Sequence, residues 1–217
     1  MTKAVLFDFD GTLADTAGGI VATEREVLRR LGLPLTSEEQ MRGTIGLPLR
    51  ESVRLGGNVP EELADEAADL YRELFFEYAP KHIKIFDGVA ETLSKLAADG
   101  LQLAIATSRG SRSLKVILET YAMDGCFCDM VTADDGIAPK PLPDMVLTLL
   151  GRMGVRAEDT IVVGDTTFDL DMGSSAGCRT IGVSYGNHSR EQLQTSSPDW
   201  VVDRFAEIAD IIGQDNI

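Results

Sequence analysis

The chain opens on an unbroken apolar run, Ala4-Val5-Leu6-Phe7, that passes directly into Asp8-Phe9-Asp10-Gly11-Thr12. A short run without polar interruption predicts a strand over 4–9, buried on both faces as in a parallel sheet. The period then changes. Residues 17–32 place Ile20, Val27, Leu28 and Leu31 at helical positions and stop at Gly32 and Pro34. Thr36-Ser37-Glu38-Glu39 fits a capping box at the start of the next helix. Pro60 predicts the opening of a long helix with Leu63, Ala67, Leu70, Leu74 and Tyr78 on one face, ending before Pro80. No convincing strand interrupts 15–82, which therefore reads as a small helical unit.

From about residue 85 strands and helices alternate. Helices are predicted over 88–98, 111–121 and 144–153 and from near 169, strands over 102–107, 130–133, 160–163, 179–183 and 200–202. Such alternation implies right-handed crossovers and a parallel sheet. The expected fold is α/β: a Rossmann-like parallel sheet core from 1–14 and 83–217, with the helical unit 15–82 inserted after the first strand.

The charge balance narrows the partners. A net charge of −15 over 217 residues argues against nucleic acid or an anionic membrane surface. An anionic small molecule stays open, because local charges decide its binding. No apolar stretch is long enough to span a bilayer, and the N-terminus lacks the pattern of a secretory signal. Cys126, Cys128 and Cys178 are an odd set without metal-ligand spacing, so reduced thiols and a cytoplasmic location are expected. With His82 and His188 the only histidines, a His-based triad or a zinc site is not expected.

Candidate chemistry lies where the predicted strands end, the edge at which α/β sheets bind ligands. Asp8 and Asp10 alternate with Phe9, so both carboxylates leave the first strand on one side. Two acids so placed repel each other unless a metal, a proton or a catalytic task accounts for them. Gly11 allows a sharp turn after them. An EF-hand loop is excluded: Gly19 stands where its final Glu would be, and a strand precedes it rather than a helix. Thr107-Ser108-Arg109-Gly110 closes another strand with a hydroxyl and backbone N–H groups suited to a phosphoryl oxygen, although such a run also serves as an ordinary N-cap. Lys140 stands between two prolines and, taken alone, reads as a loop lysine. Asp165 follows the strand over 160–163, and Asp169 lies one helical turn further on the same side.

In this order, Asp8-Phe9-Asp10-Gly11-Thr12, Thr107, Lys140-Pro141 and Gly164-Asp165 with Asp169 resemble the four motifs of the haloacid dehalogenase superfamily, over nearly the whole chain. The helical unit looks like that family's small α-helical cap, and the chain looks most similar to phosphoglycolate phosphatase-like members. The resemblance implies a Mg2+-dependent phosphatase acting through an aspartyl-phosphate. Asp8 would be the nucleophile and Asp10 the general acid, then base. Asp8, the Asp10 carbonyl and Asp165 would hold Mg2+, with Asp169 as ligand or supporting acid. Thr107 and Lys140 would grip the phosphoryl group, with Gly11, Ser108 and Arg109 around it. Four aspartates against one lysine and one Mg2+ leave about −1 before substrate arrives. Arg109, Arg42 and Arg50 are candidate sources of further positive charge, each singly readable as solvated surface charge.

The alternatives are weaker. Asp10 speaks against dehalogenation, since a departing halide needs no proton. A sugar-phosphate mutase would be expected to carry a His after the first motif, and Thr16-Ala17-Gly18-Gly19-Ile20 has none. A non-catalytic interaction protein would not need the complete set of groups. The expected partner is a small phosphorylated metabolite, phosphoglycolate leading, with pyrophosphate or a sugar phosphate behind it. Nothing in the sequence sets the oligomeric state.

Overall fold

A computed structural model describes residues 1–215 of the chain. Six parallel strands form one sheet in the order β5-β4-β1-β6-β7-β8. They are β1 (Ala4–Phe7), β4 (Gln102–Ala106), β5 (Asp129–Val131), β6 (Thr160–Gly164), β7 (Arg179–Val183) and β8 (Trp200–Val202). Between them lie α5 (Val89–Ala98), α6 (Ser111–Thr120), α7 (Asp144–Met153), α8 (Thr167–Ser175) and α9 (Arg190–Gln194), and α10 (Glu207–Asp215) closes the described chain. This is a Rossmann-like α/β fold. β1 is central, pairing with β4 on one side and β6 on the other. Its four residues are fully buried. Val5 and Phe7 enter one apolar cluster and Leu6 another across the sheet, which is why the run has no polar interruption. Burying Phe7 alone contributes about 1.5–3 kcal/mol.

Between β1 and the rest of the sheet come α1 (Ala17–Arg30), α2 (Glu38–Arg42), α3 (Leu49–Gly56) and α4 (Ala64–Tyr78). α1 packs on α4, and α4 on α3. The buried face of α4 is built by Ala64, Ala67, Ala68, Tyr71, Leu74 and Phe75. Leu63, Leu70 and Tyr78, expected on that face, are only partly buried at its flanks.

Several boundaries differ from the sequence expectation. β1 stops at Phe7, so both Asp8 and Asp10 stand beyond the strand. The start of α2 is capped by Ser37, not Thr36, and the box is one-sided. Gln40 sends its side-chain amide to Leu55 O and Asn58 Oδ1 instead of back to the cap, while Thr36 Oγ1 donates to Gly56 O at 2.6 Å. The strand expected over 130–133 is β5, ending at Val131, because Thr132 and Asp135 form a capping box for a 3-10 turn over Ala133–Asp135. The helix expected near 169 begins at Thr167, since Asp169 is itself the third residue of a capping box opened by Thr166. The two connections to the helical unit also form strands. β2 (Ala14–Asp15) and β3 (Lys84–Ile85) pair antiparallel, Ala14 opposite Ile85 and Asp15 opposite Lys84. Two-residue strands show no periodicity, so only their encounter reveals them.

Candidate active site

The carboxyl ends of β1, β4 and β6 meet on one edge, and the loops leaving them carry the functional groups. Asp8 continues the ladder by one bond, its N–H donating to Val163 O at 2.9 Å, which fixes its side chain at the sheet edge. Lys140 Nζ, its side chain fully buried, reaches Asp8 Oδ1 and Asp169 Oδ1 at 2.6 Å each. Asp169 is held at the start of α8, where its Oδ2 accepts from Thr166 N and Thr166 Oγ1 at 3.0 and 2.6 Å. Asp165 is fully buried, and its Oδ2 accepts from Asn187 N and Nδ2 at 2.7 and 2.8 Å. Thr12 Oγ1 donates to Asp165 Oδ1 at 3.1 Å. Gly11, at φ +88°, presses its backbone on this carboxylate so closely that a Cβ there would overlap Asp165 Oδ2. Asn187 Nδ2 also lies 3.5 Å from Asp10 O, which places that carbonyl beside the acidic cluster.

Asp10 carries its carboxylate into a different setting. Arg109 Nε donates to Asp10 Oδ2 at 2.9 Å, and Arg109 Nη2 and Thr16 Oγ1 donate to Oδ1. The Arg109 guanidinium is buried, lying 4.8 Å from the centre of the Phe75 ring of α4. Thr107 directly follows β4, and its Oγ1 accepts from Arg109 N at 3.1 Å. Ser108 Oγ donates to Gly46 O at 2.8 Å, bridging the sheet edge to the helical unit.

Electrostatics set these groups apart. Burial pushes the Asp8 carboxyl up to about 7, with Lys140 opposing and Asp169 and Asp10 adding to the rise. Burial also holds Asp165 well above the usual carboxylate range, reinforced by Asp8 and Asp169 and opposed by Asn187. Lys140 is pulled down by burial, yet Asp169 and Asp8 together hold it above its ordinary value. Arg109 follows the same pattern with Asp10. Asp8, Asp165 and Asp169 offer oxygens that all lie within 4.8 Å of one another. Three clustered buried carboxylates, two of them bridged by Lys140, form a donor set that fits a hard, oxygen-seeking cation.

Asp8, Asp10, Thr107, Ser108 and Arg109 line one cavity of about 240 Å3, walled opposite by α1, α3, α4 and the loop at Ile45–Leu47. Lys140, Asp165 and Asp169 cluster with Asp8, which joins them to the cavity that Asp10 and Thr107 also line. Of the candidate cations, Arg109 is inside and paired. Arg42 and Arg50 remain in surface ion pairs, with Glu38 at 3.0 Å and with Glu61 and Asp65 at 2.7 and 2.8 Å. Counting Arg109 with Lys140 and one divalent ion against four aspartates brings the centre to about neutral rather than −1. Sequence reading missed Asn187, Thr12, Thr16 and Thr166. Asn187 had a signal, since Gly186-Asn187 follows the strand over 179–183 just as the other functional loops follow theirs. His188 has no reactive position: its Nδ1 accepts from Thr167 N at 3.1 Å at the start of α8, and burial holds it below its ordinary pKa.

This arrangement, acids and a lysine at the carboxyl edge of a parallel sheet under a helical unit, defines a class of hydrolase. The chain belongs to the haloacid dehalogenase-like hydrolases, whose family model matches residues 5–183. Within them it is a phosphatase, a phosphoric monoester hydrolase. It is 39% identical over 213 residues to the phosphatase assigned as IndB in Dickeya dadantii, covering 96% of this chain and 92% of that protein. It is 30% identical to a phosphoglycolate phosphatase of Pectobacterium atrosepticum over 97% of this chain and 92% of the relative. Among solved structures, one assigned to a haloacid dehalogenase-like hydrolase of Bacteroides fragilis superposes with a TM-score of 0.91 at 25% identity, over 96% of this chain and all of that one. Among the described residues no helix is long and apolar enough to cross a membrane.

Proposed function

We propose that this phosphatase hydrolyses a small phosphomonoester through an aspartyl-phosphate on Asp8, with Mg2+ held by Asp8, Asp165 and the Asp10 carbonyl. The observation that carries this reading is the split between two acids on one cavity: Asp8 against Lys140, Asp10 against Arg109. When bound, Mg2+ would supply positive charge to the phosphoryl oxygens. Asp169 supports the centre by fixing Lys140, its two oxygens being engaged by Lys140 and Thr166.

In the first step an Asp8 oxygen forms a bond to phosphorus as the ester oxygen leaves, taking the proton from Asp10. Arg109 then stabilises the ionised Asp10 carboxylate. In the second step Asp10 takes a proton from water, the oxygen attacks phosphorus, and inorganic phosphate departs with Asp8 regenerated. Thr107 and Lys140 hold the transferring group. Ser108 and Arg109 contribute indirectly, since the Ser108 hydroxyl is engaged with Gly46 and the Arg109 guanidinium with Asp10.

Residues 15–82 act in this reading as a cap hinged on the β2–β3 ribbon. The Ser108–Gly46 hydrogen bond and the Arg109–Phe75 stack are the contacts that closure makes. A capped site favours compact esters over phosphoproteins. The names of its relatives put phosphoglycolate first among substrates, ahead of pyrophosphate or a sugar phosphate. The free thiols of Cys126, Cys128 and Cys178 support a reducing, cytoplasmic setting. The test is phosphate release from p-nitrophenyl phosphate with and without chelator. Mg2+ should restore activity, and Ca2+ should restore little, because its larger shell and longer bonds displace Asp8 from in-line attack. Full turnover after exhaustive chelation refutes the metal assignment.

A further inference from the structure

The cavity above Asp8 and Asp10 is large and apolar for a two-carbon acid. Its volume is about 240 Å3, well beyond the roughly 10–15 Å3 that one water requires. Beyond the phosphoryl site its wall is made by Ile20, Ile45, Leu49, Tyr71 and Phe75. Tyr71 and Phe75 lie in contact, ring centres 6.1 Å apart, both largely buried in the packing of α4. Such a wall gains from an apolar or aromatic face laid against it.

The charges point the same way. A glycolate leaving group would bring a second carboxylate under the cap, and a buried carboxylate needs a cation. Arg109 is taken up by Asp10 through Nε and Nη2. Arg72 and Arg112 line the cavity but are exposed, Arg72 paired with Asp69 and Arg112 laid 4.8 Å from the Phe76 ring. The helical side contributes no buried cation among the described residues. Ser52 lines the cavity, and its Oγ lies 3.1 Å from Thr44 Oγ1. Behind that pair Glu24 presents Oε1 to Gly56 beside Thr44, and neither of its oxygens has a hydrogen-bond partner among the described residues. Polar groups at this wall thus suit a neutral leaving group better than an anionic one.

We infer that the preferred substrates are phosphomonoesters of alcohols bearing an apolar or aromatic ring, and that a carboxylate-bearing leaving group such as glycolate is disfavoured. This rests on the phosphatase reading and displaces phosphoglycolate from the first place that the relatives' names give it. Leu49, at the start of α3, lines the cavity and is only half-buried where it packs against the core, so a lysine there can keep its ammonium near solvent.

Three primary-alcohol esters test the inference: benzyl phosphate, ethyl phosphate and 2-phosphoglycolate, assayed for phosphate release with Mg2+. All three release an alkoxide from a CH2 group, so differences in kcat/KM report mainly what the cavity holds. Benzyl phosphate should exceed 2-phosphoglycolate by at least about tenfold, with ethyl phosphate between them, on the scale of one ring placed in an apolar pocket. Leu49→Lys should shrink or invert that ratio by supplying a cation at the half-buried wall, Arg72 and Arg112 being exposed, while Leu49→Met, neutral and of similar volume, should keep it. Equal or faster turnover of 2-phosphoglycolate by the unmodified protein overturns the inference and leaves the phosphatase reading standing. A ratio unmoved by Leu49→Lys also overturns it. No release from any of the three esters, with Asp8→Asn indistinguishable from the unmodified protein, overturns the phosphatase reading and this inference together.

Discussion

The sheet edge and the helical unit treat buried charge in opposite ways. At the edge, Asp8 and Asp169 share Lys140, Asp10 binds Arg109, and Asp165 is wrapped by Asn187 and Thr12. In the helical unit the ion pairs, such as Arg50 with Glu61 and Asp65, lie at the surface, while the buried Glu24 carboxyl has no hydrogen-bond partner among the described residues. Paired buried charges cost desolvation and persist where chemistry uses them. The contrast teaches that paired buried charge is gathered at the strand ends, and that the helical unit meets them through apolar lining and its contacts with Ser108 and Arg109.

The largest effect should come from separating the two acids of the edge. Asp8→Asn removes the nucleophile from a nearly isosteric side chain, so turnover should fall by about 10⁴-fold or more with an unchanged circular dichroism spectrum. Asp10→Asn should cost about 10²–10⁴-fold while Mg2+ affinity, measured by calorimetry, holds, because in the proposed mechanism Asp10 offers the metal only its carbonyl. A large loss of metal affinity there would break the division of roles.

Lys140→Ala tests whether the edge depends on its shared cation. Two buried carboxylates would lose their partner, and urea unfolding at pH 7 should show a loss of about 3–5 kcal/mol. Added Mg2+ should recover part of it, since the ion replaces some of the missing charge. A variant as stable and active as the unmodified protein would return Lys140 to the status of a loop lysine.

Glu24 sharpens the helical side. Burial raises its carboxyl to about 8, from an ordinary value near 4.5. The folded state therefore keeps a proton that the unfolded state has released, and this group's contribution to stability falls as pH rises from about 4.5 to 8. Glu24→Gln removes that dependence. Between pH 5.5 and 8 the stability of the variant relative to the unmodified protein should grow by about 3 kcal/mol, measured by urea unfolding. A difference that does not change with pH would mean that Glu24 is charged throughout. The smallest effect belongs to Arg50→Ala, which removes only solvent-screened surface pairs: no resolvable shift in urea unfolding and no change in KM for p-nitrophenyl phosphate.

Much of this was legible along the chain, and what was not has identifiable causes. The strands over 179–183 and 200–202 and the helix over 144–153 stand where their apolar patterns place them, because periodicity and capping are local. The motif acids and Lys140 were legible because each follows a strand or sits in a loop that a parallel sheet brings to one edge. The β2–β3 ribbon was not, since each half is two residues long and exists only through the other. Nor was the burial of Arg109. Its neighbours in sequence suggest a solvated loop, and only folding lays it between Asp10 and Phe75, positions 99 and 34 residues away.

The sequence by itself determined the parallel core, the insertion of helices after the first strand and the identity of the acids, since these follow from pattern and spacing. The tertiary structure alone decided which charges meet and what the substrate would touch. Arg109 and not Arg42 or Arg50 joins the centre, Asn187 steadies Asp165, and Glu24 lies behind an apolar wall with no hydrogen-bond partner among the described residues. The physical reason is range. Helix and strand patterns are set by neighbours a few residues apart, whereas desolvation and charge pairing depend on groups brought together from distant positions when the chain closes on itself.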